Sequence, residues 1–505
     1  MFGFGIEAKR SRHLYTMLLY TTIIFLLLPT VCLLILFSTR RKPINSPPSP
    51  PKNLFFGNLL QLGALPHRTL KTLADSYGPI MLIHLGSKPA LVVSSSDVAR
   101  EIFQANDIAF SNRGTTSIIA KLLYNGKGVV ATPYSNYWRQ MRAIIVTKLL
   151  SSNRVQKFGR VREEEISTMI SKVAAASSNP VNLSEQFSIL TNEILCRVAF
   201  GKQLEAERQK RIQVLEETSK LLSAFDVAEA VPWLAWINNF NGLKSRIEKV
   251  FNDLDVMMDG ILDEHLITET KGDEKDLVDI LLEERNGGSV DKESVKAIIL
   301  DVLVAGTETI KTTMEWMMLE LLRNPEAMKK VKEEIREIIP DERIAKEDDL
   351  RRLKYMKCVI RETMRMHPAI PIMPPRKTGE RVKVWGYEIE ENTMVLVNVW
   401  AIGMDPKVWK EPGKFRPERF MEEGAVDYIG NDYDFIPFGA GRRRCPGMAF
   451  AASVIELGIA TLLKNLDLSL PEGKEVDASE AAGVTFHPKY PILVMAKSLS
   501  SSLIA

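Results

Sequence analysis

The chain has 505 residues, 26% charged and 45% hydrophobic, which excludes a disordered or collagenous polymer and suffices for a large buried core. Its 66 Lys and Arg against 63 Asp and Glu leave a net charge of +3, too little for the basic footprint of a nucleic-acid binder. The four cysteines, Cys32, Cys196, Cys358 and Cys445, contain no CxxC pair; this argues against a disulfide framework or a zinc ribbon and fits a reducing compartment.

From Leu14 to Thr39 there are 26 residues without a charge. That exceeds the roughly 20 needed to cross a hydrocarbon core. The run ends in Arg40-Arg41-Lys42, a stop-transfer pattern, whereas a cleaved signal peptide has an apolar region of only about 7–15 residues ending in small side chains. Residues 1–39 are therefore expected to be a single-pass membrane anchor. Lys9, Arg10 and Arg12 precede it and Arg40, Arg41, Lys42 and Lys52 follow, a small excess that favours a cytosolic C-terminal body.

Residues 40–56 read as a hinge, since 43–52 contain five prolines in ten residues and form a stiff, extended spacer. The globular part is expected from residue 57 to 505. Met81–His84 and Leu91–Ser94 are β-like runs around Gly86-Ser-Lys-Pro89, a hairpin signal. From about 96 to 365 the periodicity is helical, and Val382–Ile389 and Thr393–Ile402 are again β-like. The fold class is mainly α with a minor β part.

One helix stands out. Asp291 can cap it, Glu293 lies in its first turn and Asn324-Pro325 stops it, giving 292–323, about 48 Å long. Ile298 to Ala305 is apolar except for Asp301, a sign of burial on nearly every side. Gly306 then sits mid-helix at a cost of about 1 kcal/mol relative to Ala, followed by Thr307, Glu308 and Thr309. Two accounts fit: a kinked core helix whose Thr309 hydroxyl bonds back to the Ala305 carbonyl, or a cavity where Ala305-Gly306 admits a bulky ligand and Thr309 with Glu308 supplies protons.

Residues 437–447 read Pro-Phe-Gly-Ala-Gly-Arg-Arg-Arg-Cys-Pro-Gly. Gly439 and Gly441 begin like a dinucleotide fingerprint, but Arg444 breaks it. The loop instead delivers Cys445 just before a helix near Met448. Arg442, Arg443 and Arg444 beside it favour a thiolate. A buried free cysteine with three solvated arginines is the other reading.

The pattern Phe438-x-x-Gly441-x-Arg443-x-Cys445-x-Gly447 resembles the haem-binding signature of the cytochrome P-450 family at every fixed position. Ala305-Gly306-Thr307-Glu308-Thr309 is similar to its oxygen-activation segment, Glu362-x-x-Arg365 to its Glu–Arg helix pair, and Pro417-Glu418-Arg419-Phe420 to its PERF segment. Trp138-x-x-x-Arg142 and the proline hinge fit as well. The wording resembles plant microsomal enzymes of the subgroup containing menthofuran- and psoralen-forming synthases.

The resemblance implies a P-450 fold behind the N-terminal transmembrane helix, with 57–505 as a haem-binding catalytic domain. It implies haem b held by Cys445 as axial metal ligand, with Phe438, Trp138, Arg142, Arg376 and Arg443 around it, the cations serving the propionates. Thr309 and Glu308 take the catalytic acid–alcohol places, Glu362, Arg365 and Arg419 a structural one. Leu122, Ile298, Ala305, Ile370 and Met373 are the implied pocket residues. Two departures from the family pattern, Ile310 after Thr309 and Gly114 after Phe110-Ser-Asn-Arg113, fall near that pocket.

The implied activity is insertion of one atom of O2 into a small lipophilic plant metabolite, a terpenoid or a coumarin or other phenylpropanoid. No GxGxxG or GxxxxGK[ST] motif is present, so NADPH is expected to act through a separate membrane-bound reductase. The implied location is the endoplasmic reticulum membrane, with the catalytic domain cytosolic. Two other readings keep the fold: a haem dehydratase or isomerase, and a non-enzymatic haem protein. Thr309 counts against the first, and the Glu308-Thr309 pair against the second.

Overall fold

The computed structural model describes residues 17–31, 45–176, 179–201, 208–224, 226–267, 275–340, 345–429 and 432–499. They fall into two units.

The smaller unit holds the residues up to Ser46 together with Gly386–Glu388. In it Met17–Val31 is an apolar helix, exposed along its length. Its hydroxyls are satisfied within the helix: Thr21 donates to the Met17 carbonyl at 2.8 Å and Thr30 to that of Leu26 at 3.0 Å. Such internal pairing suits a helix in an apolar solvent. The remainder of the expected 1–39 anchor, with its basic flanks, lies outside the described residues. Asn45 accepts the Glu388 N–H at 2.9 Å and donates its amide to the Gly386 carbonyl.

The larger unit runs from Pro47 to Trp385 and on from Ile389. Its first residues are not a free spacer. The Pro48 carbonyl accepts the Leu82 N–H at 2.8 Å, and that of Pro51 accepts the side-chain amides of Asn58 at 3.1 Å and Gln61 at 2.7 Å. Proline lacks a donor but keeps its acceptor. Residues 47–56 of the segment read as a hinge thus belong to the larger unit.

Strands β1 (Ile80–Leu85) and β2 (Lys88–Val93) form the expected hairpin. Gly86 turns it with φ 63°, and a Cβ there would lie 1.9 Å from the Ala230 carbonyl oxygen. With β3 (Asn112–Arg113), β4 (Arg376–Lys377) and β5 (Met394–Val397) they make a five-stranded sheet in the order β1-β2-β5-β4-β3. The β2–β5 pair is parallel and the others are antiparallel. β5 is shorter than the β-like run at Thr393–Ile402, because the Asn398 side chain accepts the Ala401 N–H at 3.0 Å and starts a helical turn, Val399–Gly403.

The helices that position the site are α1 (Asn136–Ile144), α2 (Leu183–Phe200), α3 (Leu243–Ile267), α4 (Lys292–Arg323), α5 (Lys354–Met366) and α6 (Met448–Asn465). α4 runs through the middle of the apolar core. Its ends are those the sequence predicts: Asp291 accepts the Ser294 N–H at 2.7 Å, and Asn324 closes it before Pro325. It continues unbroken through Gly306, where a Cβ would lie 2.8 Å from the Leu195 side chain of α2, so glycine lets the two helices approach. α6 is apolar and long enough to cross a membrane, yet 56% of it is buried inside the protein, as suits a core helix.

Candidate active site

A cavity enclosing about 280 Å³ opens between the middle of α4 and the loop that carries Cys445. Ala305, Gly306 and Thr309 line it from α4, and Ile370 and Met373 from the segment after α5. Cys445 and Phe438 line it from that loop. Ala305 is exposed although its neighbours Leu303 and Val304 are buried, because its surface belongs to this cavity. Both accounts of the α4 centre hold together: Thr309 donates to the Ala305 carbonyl at 2.7 Å and lines the cavity as well.

The loop 437–447 is shaped by two left-handed glycines, Gly439 (φ 71°) and Gly441 (φ 67°), and by the Cys445 N–H, which donates to the Phe438 carbonyl at 2.9 Å. Burial pushes the Cys445 thiol up, while the Gly447 N–H and the charges of Arg142 and Arg444 pull it down. Those two cations, rather than the trio 442–444, are the ones that act on the sulfur. Arg443 reaches away, donating to the carbonyls of Ser111 at 2.9 Å, Val129 at 3.1 Å and Thr132 at 2.6 Å, with its guanidinium 4.3 Å from the Trp138 ring centroid. Arg442 pairs with Asp107 at 3.2 Å, and Arg444 turns inward to the Tyr428 carbonyl.

Arg376 meets the cavity from β4, donating to the Ala440 carbonyl at 2.7 Å. Directly opposite it in the β3–β4 ladder is Arg113, whose Nε donates to the Val130 carbonyl at 3.1 Å. Like charges facing each other across strands repel. Burial, then the charges of Arg376 and Arg443, hold Arg113 well below the usual guanidinium range. Burial and the charges of Arg376 and Arg142 bring Arg443 down to about 9. Burial lowers Arg376 to about 10, with Asp107 opposing. Three clustered guanidinium groups, each already held by backbone carbonyls, line the wall of an apolar cavity that a thiol also lines. These donors fit a porphyrin with two propionates and a metal that takes one sulfur ligand.

Arg113 was not among the sequence candidates; its signal was the Phe110–Gly114 segment, read there only as a departure from the family pattern. Asp301 also lines the cavity. Its carboxylate accepts the N–H groups of Val129 at 2.6 Å and Val130 at 3.1 Å, and burial raises it to about 6. The Val129 carbonyl in turn accepts Trp138 Nε1 and Arg443 Nη1, each at 3.1 Å. Arg142 lines the cavity, with its guanidinium 5.7 Å from the Trp138 ring.

Three expected residues lie elsewhere. Glu308 is about 100° around α4 from Thr309 and lines a separate small pocket with Ser188, Asn192 and Thr307. Leu122 is fully buried in the helix Ser117–Leu122, and Ile298 is fully buried one turn before the first cavity-lining turn of α4. Glu362, Arg365 and Arg419 meet away from the cavity. Arg365 donates twice to Glu362, both at 2.8 Å, and Arg419 Nε donates to Glu362 at 3.1 Å, with all three side chains buried.

A thiol, a cluster of guanidinium groups and a central helix with a threonine, all lining one cavity, are the donor set of a haem-thiolate protein. The model of the Cytochrome P450 family matches residues 47–495, and the chain belongs to that family. It is 44% identical to cytochrome P450 736A117 of Prunus mume, over 91% of each chain. It is 43% identical to norfluorocurarine oxidase of a Strychnos species, over 89% of this chain and 92% of that one. With psoralen synthase of Pastinaca sativa it shares 42% identity over 88% of this chain and 95% of that one. A zebrafish cytochrome P450 structure with abiraterone superposes with a TM-score of 0.75 at 25% identity, covering 86% of this chain and 99% of that one. The protein is a cytochrome P450 monooxygenase, and its family implies haem ligated by a cysteine thiolate.

Proposed function

We propose that the chain inserts one oxygen atom from O2 into a small, lipophilic, polycyclic plant specialised metabolite, receiving electrons from NADPH through a membrane-bound reductase. The observation that carries this reading is that Thr309, at the Ala305-Gly306 step, and Cys445 line one apolar cavity. Haem, when bound, supplies the oxygen-activating redox chemistry. The chain's own residues do the rest. Cys445 ligates, with Arg142 and Arg444 favouring its thiolate form. Arg113, Arg376 and Arg443 anchor carboxylates, and Ile370 and Met373 present apolar surface to the substrate. Thr309 holds a proton at the cavity wall, and Glu308 supplies protons from the small pocket behind α4. The names of the relatives, an oxidase of norfluorocurarine and a synthase of psoralen, support a polycyclic alkaloid or coumarin skeleton.

The test is a metabolite-library screen of purified protein with reductase, scored by spectral shift on binding and by product mass gain from labelled O2. Product without labelled oxygen would indicate a dehydratase or isomerase instead. Thr309→Ala is expected to lower product formation by about 10²-fold or more while NADPH oxidation falls less, the difference appearing as hydrogen peroxide. An equal loss of both would reduce Thr309 to its bond with Ala305.

The apolar helix Met17–Val31 supports a membrane-anchored protein, by proposal in the endoplasmic reticulum with its catalytic body in the cytosol. Deleting residues 1–39 is expected to move most of the protein from the membrane pellet to the soluble fraction with haem still incorporated. A secreted product beginning near residue 40 would show a cleaved leader.

A further inference from the structure

The most strained backbone near the cavity is Tyr124-Asn125-Gly126, three consecutive left-handed residues with φ 50°, 56° and 72°. A tyrosine rarely adopts that region, and such strain persists only where its surroundings over-determine it. The surroundings here are ionic. The buried Tyr124 hydroxyl donates to Asp255 of α3 at 3.0 Å, and Lys296 of α4 donates to the same carboxylate oxygen at 2.6 Å. Lys296 also reaches Asp259 at 2.8 Å. The Tyr124 ring packs on Phe251, 5.5 Å between centroids, and Lys121 sits over the same ring at 4.4 Å while pairing with Glu248 at 3.0 Å. Glu248, Phe251, Asp255 and Asp259 recur at three and four residues and so share one face of α3.

Three residues beyond the turn, Val129 and Val130 form part of the cavity wall, and the Val129 carbonyl holds Trp138 and Arg443. One end of this strap is thus tied to α3 and the other is wall. We infer that Tyr124, Asp255 and Lys296 form a latch that positions the Val129–Val130 wall and sets how long a lipophilic ligand stays in the cavity. They are positioning residues, and the inference rests on the proposed reading of that cavity as the substrate site.

The test uses the full-length, haem-loaded protein and 4-phenylimidazole as probe, with binding and release followed by stopped-flow absorbance. Tyr124→Phe keeps the ring on Phe251 and removes one hydrogen bond to a charged group. It is expected to raise the dissociation rate on the order of tenfold, with Asp255→Asn raising it at least as much and Asp255→Glu returning part of the loss. A purely structural fastening would lower the melting temperature and leave the dissociation rate unchanged, and that result for Tyr124→Phe overturns the latch even where Asp255→Asn fails to fold. Absence of any azole spectrum in the unmodified protein would overturn the cavity reading and the latch together. Normal azole binding with unchanged rates in the variants would overturn the latch alone.

Discussion

Replacing Cys445 with Ser abolishes the thiolate-type Soret band of the reduced carbonyl complex and brings product formation to background. The loop exists to hold this sulfur in place. Its Gly441 is left-handed, and a Cβ there would lie 2.3 Å from Asp107, so the chain can take this path only without a side chain. The Cys445 N–H is committed to the Phe438 carbonyl, which holds the backbone of the loop at the cavity wall. A serine hydroxyl in the same place stays protonated and lacks the softness of a thiolate. Neither of the other described cysteines lines the cavity. Burial pushes Cys196 up to about 12 and raises Cys358 as well, so both stay neutral. Persistence of the thiolate band in Cys445→Ser would therefore require a ligand from outside the described residues, and would overturn the assignment of this cavity.

The parts of the molecule written in local sequence were legible, and those created by packing were not. α4 declared both its ends through Asp291 and Asn324-Pro325, and its centre through the change from apolar run to Gly306 and hydroxyls. The hairpin β1–β2 was visible in two short β-like runs around Gly86-Ser-Lys-Pro89. What periodicity could not supply was which side of α4 each polar residue faces in the folded chain. Glu308 and Thr309 are neighbours in the sequence, yet they serve two different pockets. The pairing of Arg113 with Arg376 joins positions 263 residues apart (376 minus 113) through a two-residue strand pair that no pattern announces. Leu122 and Ile298 were apolar and near the right segments, but complete burial in the core removed them from the cavity wall. The composition of the proline-rich segment describes stiffness, and says nothing of the partners that its Pro48 and Pro51 carbonyls find.

Glu362→Gln is expected to destabilise the fold by about 3–5 kcal/mol, the usual result of removing one member of a buried ionic cluster. Glu362 has no exposed surface and carries two cations. Arg365 grips it through two parallel bonds of 2.8 Å, the strongest geometry available to a guanidinium and a carboxylate. Arg419 adds a bond of 3.1 Å and the Arg416 N–H one of 2.8 Å. The arginines in turn hold the chain between α5 and the Cys445 loop: Arg365 donates to the Gly403 carbonyl at 2.7 Å, and Arg419 to the Lys410 carbonyl at 2.9 Å. A glutamine at 362 keeps the shape, but it leaves two guanidinium groups buried without a counter-charge and turns a donor toward them. Arg365→Lys fares no better, because an ammonium cannot reproduce the fork. Thermal denaturation and the yield of haem-loaded protein are the measurements. The cluster lies outside the cavity, so whatever fraction of Glu362→Gln folds retains the thiolate carbonyl spectrum and the ligand-binding spectrum of the unmodified protein. A variant with unchanged melting temperature would show that the cluster contributes nothing to stability. A variant that melts normally but loses those spectra would place Glu362 in the chemistry instead.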